Sequence, residues 1–329
     1  MQFITFIYSE NYTPMLVTLL ESTNRINVKL IVGYSNHFDK KIINILSSIY
    51  KKVVFDEIQM PKFSKDSNVL HRHHINASRK IIALRKIFLN RYKENSFSSF
   101  IDIDVFFTKL WKVPEFKNAD LLLTIKSDEA KYRLNSGVIF LKNNEKIINF
   151  LRAWENETID IISDKEKLKK AISKKNIFGG GDQMALSKIL DLKNNIISES
   201  YEVNNGLKVK LIPTKIYNAC EEKIIPDLAK IIHLKGAFHS LLLEGMPFLS
   251  DRRESHSVYQ INNAYYLNEA ALSKISQIKQ MNKTELQIYK FKKPAFLKNK
   301  NYEVKFYFKI YYKIITKLKK YINIAFNIK

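Results

Sequence analysis

The first 142 residues alternate short apolar segments with longer helical patterns, and this alternation restricts the fold more than any other feature. Segments rich in β-branched and aromatic residues predict strands at 2–8, 27–34, 52–60, 97–106, 121–126 and 136–142. Apolar residues at helical spacing predict helices between them, at 14–24, 39–50 and 75–92. Strands that alternate with helices of this length indicate βαβ units and a mixed, mostly parallel sheet flanked by helices. Ligands of such sheets bind at the carboxyl ends of the strands.

The size and composition of the chain predict a globular protein with a sizeable core. Its 329 residues are 46% hydrophobic, which excludes a disordered chain, and its one cysteine, Cys220, excludes an internal disulfide. The amino-terminal segment lacks the basic region and cleavage site of a signal peptide, and no segment reaches the roughly 18 apolar residues of a membrane span. We expect a cytoplasmic protein that could lie peripherally at the inner face of a membrane.

The charge of the chain is strongly positive and is concentrated at its carboxyl end. Lys and Arg number 55 against 32 Asp and Glu, and residues 290–329 contain twelve lysines and one acid, Glu303. In 302–326 lysines recur at helical spacing on one side, with aromatic and aliphatic residues on the other. This pattern is typical of a helix in a membrane interface, although a helix packed on the protein with a solvated lysine face would also show it.

Two acids follow the apolar residues of the predicted strand at 97–106. Asp102 and Asp104 occupy positions i and i+2 of a strand end, so their side chains point to the same side. Two carboxylates this close can both be ionised at neutral pH only beside a cation, which indicates a Mg²⁺ or Mn²⁺ site with oxygen ligands. The alternative is a pair of acids that only caps the junction between strand and loop.

Two further polar motifs contain glycine. Asn135-Ser136-Gly137 precedes an apolar segment, and as a turn at the sheet edge it would let a polyhydroxyl ligand approach the backbone. Three glycines precede Asp182 and Gln183 at the start of a predicted helix, where a carboxylate and an amide could face a substrate. The alternatives are an ordinary turn for the first motif and a simple helix N-cap for Asp182.

A histidine follows another apolar segment further along the chain. His233 is placed at a strand end, where its imidazole could supply a nitrogen ligand to a metal. Lys235, followed by Gly236, could supply a cation to a phosphate. A single histidine in such a position is more often structural.

Taken in order, Asp-x-Asp, Asn-Ser-Gly-Val, Asp-Gln-x-Ala-Leu and Ile-His-x-x-Gly resemble the motifs of GT-A-fold nucleotide-sugar glycosyltransferases, most closely the glycogenin-like and galactosyltransferase-like enzymes of glycosyltransferase family 8. The resemblance implies a GT-A catalytic domain over 1–250, a Rossmann-like fold, and a helical basic carboxyl-terminal extension over 251–329. It implies a metal-dependent hexosyltransferase that moves a sugar from a nucleotide-sugar such as a UDP-sugar to a glycan, glycolipid or protein acceptor.

The resemblance also implies roles for individual residues. Asp102, Asp104 and His233 would bind the divalent cation, with Asp102 also near the ribose of the donor. Lys235 and the backbone of Gly236 would line the diphosphate.

The remaining implied contacts surround the sugar and the nucleoside. Asn135 and Ser136 would contact the donor sugar, and Asp182 and Gln183 would lie by the anomeric carbon and the acceptor. The other expected donor contacts are Tyr8 and Ser9 at the base and ribose, and a cation from the helix before Asp-x-Asp, either Arg79 or Lys86.

Two alternatives remain open on the sequence. Family 8 enzymes retain the anomeric configuration, but Asp182 could act as the general base of an inverting reaction. The chain could also be a basic nucleic-acid- or membrane-binding protein on an inactive GT-A scaffold, although it contains no recognised nucleic-acid-binding module, and we expect no nucleic-acid partner.

The basic carboxyl-terminal segment generates a testable prediction. Lysines near an anionic bilayer contribute on the order of 1 kcal/mol each, so deletion of residues 295–329 should reduce flotation of the protein with anionic liposomes. Flotation of the full chain and of the shortened chain to the same extent would contradict a membrane role for this segment.

Overall fold

A computed structural model of the chain shows its architecture. The structure describes the ranges 1–61, 69–125, 134–172, 180–191, 200–203, 206–219, 228–234, 254–278 and 283–291. Lys235, Gly236 and the basic segment at 302–326 lie outside these ranges, so their expected roles remain predictions.

Within the described ranges, ten strands form two sheets. The strands are β1 (Gln2–Ile7), β2 (Lys29–Ser35), β3 (Val54–Ile58), β4 (Phe97–Ile101), β5 (Val105–Phe107), β6 (Leu121–Ile125), β7 (Leu134–Lys142), β8 (Ser200–Val203), β9 (Leu207–Ile212) and β10 (Ile231–His233). The main sheet has eight strands in the order β3-β2-β1-β4-β7-β6-β9-β8, and β5 pairs with β10 in a small second sheet. In the main sheet β7 and β8 run antiparallel to their neighbours, and the other pairs are parallel. The expected α/β class with a mixed, mostly parallel sheet is therefore confirmed.

Helices cover both faces of the main sheet. They are α1 (Thr13–Ile26), α2 (Lys40–Ile49), α3 (Val69–Ser78), α4 (Lys80–Asn90), α5 (Glu145–Ser163), α6 (Lys165–Ile172), α7 (Gly181–Leu190), α8 (Thr214–Tyr217), α9 (Glu254–Ile278) and α10 (Lys283–Leu286). One apolar core packs α4, α5 and α7 against the sheet, and another packs α1, α2 and α9 against its other face. Neighbouring residues of β1 contribute to different cores, Ile4 to the first and Phe3 to the second, because side chains alternate across a strand.

Local sequence signals set several helix ends. The Asp39 carboxylate accepts a hydrogen bond from the Lys41 backbone at the start of α2, and Asn144 accepts one from Ile147 at the start of α5. Helix α1 has Pro14 in its first turn, where the missing N–H costs nothing. It ends at Asn27, which has the left-handed φ of 55° that favours asparagine at a helix end.

Two predicted elements are each divided in the structure. The segment predicted as one strand over 97–106 forms β4 and β5, which belong to different sheets. The two strands separate because Asp102 donates its backbone N–H to Gly137 of β7, while the Asp104 carbonyl accepts from Leu234 after β10. The predicted helix over 75–92 forms α3 and α4, which meet at Arg79.

The carboxyl-terminal helix α9 packs on the amino-terminal helix α1. The Lys274 ammonium lies 2.6 Å from the buried Glu21 carboxylate. The Asn268 side chain donates to the carbonyl oxygen of Tyr289 and accepts from the backbone N–H of Phe291, which fixes the segment after α10. Among the helices that the structure describes, none has the length and apolarity needed to cross a bilayer.

Candidate active site

Two acids and a histidine meet where β5 pairs with β10. Asp102 and Asp104 lie in the turn between β4 and β5, and His233 is the last residue of β10. The antiparallel register places His233 opposite Val105, next to Asp104. The His233 Nε2 atom lies 3.1 Å from Asp104 Oδ1 and 3.6 Å from Asp102 Oδ2. The chain thus brings a histidine to two acids that precede it by more than 120 residues.

This group has the chemistry of a divalent-cation site. One ligand atom from each of the three residues lies within 4.8 Å of the other two, and within the described ranges it is the one such group of at least three His, Cys, Asp or Glu side chains. Carboxylate oxygens with one imidazole nitrogen suit Mn²⁺, and Mg²⁺ is also bound by carboxylates. His233 and Asp104 are only 1% and 7% exposed, so the group is largely removed from water.

Gly137 provides the space in which the three side chains meet. A Cβ atom at this position would lie 2.3 Å from His233 Cε1 and 2.9 Å from Asp102 Oδ2, closer than real contacts of that kind. The expectation that Asn135-Ser136-Gly137 forms a turn is wrong, because these residues lie inside β7 and are buried. The missing side chain of Gly137 instead leaves the space that the imidazole of His233 and the carboxylate of Asp102 occupy.

A lysine connects this group to a fourth acid. Lys80, the first residue of α4, lies with its Nζ atom 2.6 Å from Asp102 Oδ1 and 3.2 Å from Asp182 Oδ2. The Ser136 hydroxyl is 3.4 Å from the same nitrogen. Burial lowers the pKa of Lys80, but the charges of Asp102 and Asp182 and their hydrogen bonds outweigh it and raise that pKa above its usual value. Lys80 is therefore a permanent positive charge between two acids.

Asp182 is held by donors on both carboxylate oxygens. Its Oδ2 atom accepts a 2.7 Å hydrogen bond from Ser136, and its Oδ1 atom lies 3.4 Å from the Ser78 hydroxyl. Burial raises the pKa of Asp182, but Lys80 and the Ser136 hydroxyl more than offset it, so the net pKa is lowered. Asp182 is thus an ionised carboxylate.

The backbone around Asp182 is also fixed by other elements. Helix α7 begins at Gly181 and has no side-chain cap of its own. The Ser78 hydroxyl, from the end of α3, accepts from the backbone N–H groups of Gly181 and Asp182. The indole of Trp154 in α5 donates a 2.8 Å hydrogen bond to the Asp182 carbonyl oxygen. Residues of α3 and α5 therefore fix the backbone at the start of α7, and with it the position of the Asp182 carboxylate.

Two amide groups beside these acids contain atoms without partners. Asn135 accepts a hydrogen bond from the Gly137 backbone through its Oδ1 atom, but its buried Nδ2 atom has no partner within the described ranges. The Oε1 atom of Gln183, which follows Asp182, is buried and likewise lacks one there. Unpaired buried polar atoms cost free energy and are uncommon, so these two atoms would gain a hydrogen bond if a polar ligand reached them.

Tyr8 and Ser9 follow β1 at the same edge of the sheet. The Tyr8 ring is largely buried against Tyr12, with ring centroids 5.3 Å apart. Burial, and to a smaller extent the neighbouring Tyr12 and Asp104, raise the pKa of the Tyr8 hydroxyl. The Ser9 hydroxyl accepts from the Asn11 backbone at the start of a short 3-10 turn. Their expected contacts with a base and ribose remain predictions.

The sequence did not identify Lys80 as the cation that contacts the acids. Arg79 and Lys86 are the expected residues, and the structure places Lys80 against Asp102 and Asp182. The Lys86 backbone lies about 9 Å further along the helix axis than that of Lys80, and its ammonium donates to the Gln59 carbonyl at the surface. The Arg79 guanidinium lies 3.5 Å from Asn76 Oδ1. Ser78 was also missed, because a serine inside a helical pattern carries no signal for a contact over 100 residues away.

The space at Gly137 generates a testable prediction. Gly137→Ala should move His233 or Asp102 and lower Mn²⁺ affinity at least about tenfold, measured by the electron paramagnetic resonance signal of free Mn²⁺. Gly206→Ala is the control, because it strains a backbone φ of 68° at a position whose added Cβ contacts none of Asp102, Asp104 and His233. Equal Mn²⁺ affinity in the Gly137→Ala variant and the wild-type chain would contradict the role given to Gly137 in leaving space for the three side chains.

Comparisons with known proteins give fold similarities of low score. No family model and no curated protein matches the chain. A glycosyltransferase involved in glycosylation of the major capsid of PBCV-1 is 12% identical, with 78% of this chain and 98% of that chain covered and a TM-score of 0.39. The galactosyltransferase LgtC, solved with donor and acceptor sugar analogues, is 12% identical, with 80% and 95% covered and a TM-score of 0.39. The inositol-1-phosphate CTP transferase from T. maritima is 12% identical, with 84% and 96% covered and a TM-score of 0.35.

Proposed function

We propose that this chain is a metal-dependent glycosyltransferase of the GT-A fold that transfers a sugar from a nucleotide-sugar to an acceptor hydroxyl. The observation that carries the proposal is the convergence of Asp102, Asp104 and His233 beside the Lys80–Asp182 pair. Two acids and an imidazole form a site for a cation that can bind a diphosphate, and the neighbouring carboxylate and free amides suit a sugar. The order of the motifs, which resembles that of family 8, supports the hexosyltransferase type.

The residues of the site fit a divalent cation. Asp102, Asp104 and His233 would hold Mn²⁺ or Mg²⁺, and Gly137 leaves the room that their side chains need. A cation bound there supplies Lewis-acid stabilisation of the negative charge that develops on the departing nucleoside diphosphate. Asp102 also contacts Lys80, so this one carboxylate connects the cation site with a fixed positive charge.

The pocket residues divide between the two ends of the donor. Asn135, with its unpaired Nδ2 donor, and Ser136 would bind sugar hydroxyls. Tyr8 and Ser9 would contact the base and ribose of a donor such as a UDP-sugar, and Lys235 with Gly236 would line its diphosphate.

The environment of Asp182 favours retention of the anomeric configuration. A general base for inversion must accept a proton from the acceptor hydroxyl, which requires a free oxygen and a pKa near the working pH. Asp182 instead has a lowered pKa and hydrogen-bond donors on both oxygens. Its fixed negative charge suits stabilisation of the positive charge that develops on the sugar in the transition state. The free Oε1 atom of Gln183 would face the same side of the sugar.

The alternative function, an inactive scaffold that binds nucleic acid or a membrane, is less favoured by the same residues. Such a protein would have no use for two acids and a histidine whose ligand atoms lie within 4.8 Å of one another. Membrane contact fits the transferase as well, and we retain it as a proposal for residues 302–326. An acceptor on a glycolipid would then lie near the enzyme at the inner face of a membrane.

The first test of the proposed function is ligand-dependent stability. UDP together with Mn²⁺ should raise the Tm of the protein more than either alone, since a ligand at 100 times its Kd stabilises by about 2.7 kcal/mol. Asp104→Asn should remove most of this synergy while leaving the chain folded, because it replaces a buried acid with a neutral side chain of equal size. A variant with full synergy and normal sugar transfer would refute the metal assignment.

The second test separates Lys80 from the neighbouring cation on the same helix. Lys80→Met should lower turnover of the nucleotide-sugar about 100- to 1,000-fold, as loss of a fixed electrostatic group in an active site commonly does. Lys86→Met is the matched control and should retain activity near the wild-type level, because its ammonium bonds only a surface carbonyl. Similar losses in both variants would contradict the role given to Lys80.

A further inference from the structure

The second ring nitrogen of His233 is held by a buried polar chain outside the cation site. While Nε2 faces the two acids, the Nδ1 atom lies 2.8 Å from Asn218 Oδ1. The Asn218 Nδ2 atom donates a 2.8 Å hydrogen bond to the Thr124 hydroxyl of β6. Asn218 and Thr124 are fully buried and His233 is 1% exposed, so no bulk water competes for these bonds. The chain Thr124–Asn218–His233 therefore runs from the main sheet to the candidate metal ligand.

Backbone pairing brings Asn218 to this position. Asn218 is the residue directly after helix α8. The next residue, Ala219, donates its backbone N–H to the Ile231 carbonyl and accepts from the His233 N–H. These two bonds place the segment alongside β10, so that the Asn218 side chain reaches the His233 ring. On another side of the ring Gly137 leaves only the space that the imidazole fills. The ring is thus confined by contacts on two sides.

The structure gives the Asn218 amide one orientation. With Nδ2 directed at the threonine hydroxyl, Oδ1 is the atom that faces the imidazole, and a carbonyl oxygen only accepts. In this orientation the Nδ1 atom of His233 carries the proton and donates it to Asn218 Oδ1. The lone pair of a neutral imidazole is then on Nε2, the atom that faces Asp104 and Asp102.

We propose that Asn218, whose amide is hydrogen-bonded to Thr124, is a positioning residue that selects the tautomer and the ring orientation in which His233 binds a divalent cation through Nε2. The proposal rests on the cation site of the proposed function and extends it to residues that do not touch the cation. Hydrogen bonds to the far nitrogen of a metal-bound histidine typically change metal affinity about 10- to 100-fold when they are lost.

The test compares three variants of the full chain by Mn²⁺ titration in a calorimeter. Asn218→Leu removes the acceptor at similar volume and should weaken Mn²⁺ binding about 10- to 100-fold. Asn218→Asp keeps an acceptor for Nδ1–H and should stay within a few-fold of the wild-type Kd. Asn268→Leu is the matched control, because it removes another fully buried amide that joins chain segments, but in the α9 region. It should lower the Tm without changing the Mn²⁺ affinity.

The outcomes separate this proposal from the proposed function. If the wild-type chain does not bind Mn²⁺, the metal site itself fails. If it binds and Asn218→Leu binds equally well, or if Asn218→Asp is as weak as Asn218→Leu, only the role of Asn218 is overturned. Nitrogen-15 spectra of histidine in the Mg²⁺-loaded wild-type protein give a test without any variant at 218. They should show the His233 proton on Nδ1, with His233→Gln used to assign the signal, and a proton on Nε2 would overturn the proposal.

Discussion

The antiparallel pairing of β5 with β10 is the contact on which the candidate site depends. It joins residues more than 120 positions apart and sets the end of β10 against the turn that carries the two acids. A shift of this register by one residue would turn His233 to the opposite face, because side chains alternate along a strand. The bond from Leu234 N–H to the Asp104 carbonyl and the pairing of Ala219 with β10 both resist such a shift. Short as it is, the second sheet therefore determines whether an imidazole meets the carboxylates.

The main sheet contributes the remaining groups through its edge. Strands β1 and β4 are parallel, so Tyr8 and Asp102, which follow them, lie at the same edge of the sheet. Strand β7 runs in the opposite direction, so its first residues, which include Asn135, Ser136 and Gly137, lie at that edge as well. Helices α4 and α7 pack on one face of the sheet and start near the same edge, which brings Lys80 and Asp182 to the acids. The alternation of strands and helices in the sequence thus leads directly to a cluster of polar residues at one edge, as the sheet rule predicts.

The sequence predicts the elements of this fold better than it predicts their contacts. Apolar periodicity is a local property, and it identified the strands and helices of the first 142 residues as well as the acids that follow β4, but not β8 and β9. The division of 97–106 between two sheets could not be inferred, since it depends on hydrogen bonds with Gly137 and Leu234, which are distant in the chain. The sequence also could not show that Lys80, rather than Arg79 or Lys86, contacts Asp102 and Asp182, because this contact depends on the rotation of α4 relative to the sheet. Asn218 stands in a segment without any motif, and only its contact with His233 draws attention to it.

The polar groups of the site differ in a way that bears on its chemistry. The charged groups are held by other parts of the protein: Asp182 by two serines and a lysine, and His233 by Asn218. The neutral amides of Asn135 and Gln183 retain unpaired buried atoms within the described residues. Groups that stabilise charge in a transition state act best when they are already oriented, since no free energy is then spent on reorganising them during the reaction. Hydrogen-bonding groups for a substrate must instead be free until it binds. The site therefore combines fixed charges with two amide atoms that lack partners within the described residues, and this combination suits the proposed transfer of a sugar from a nucleoside diphosphate.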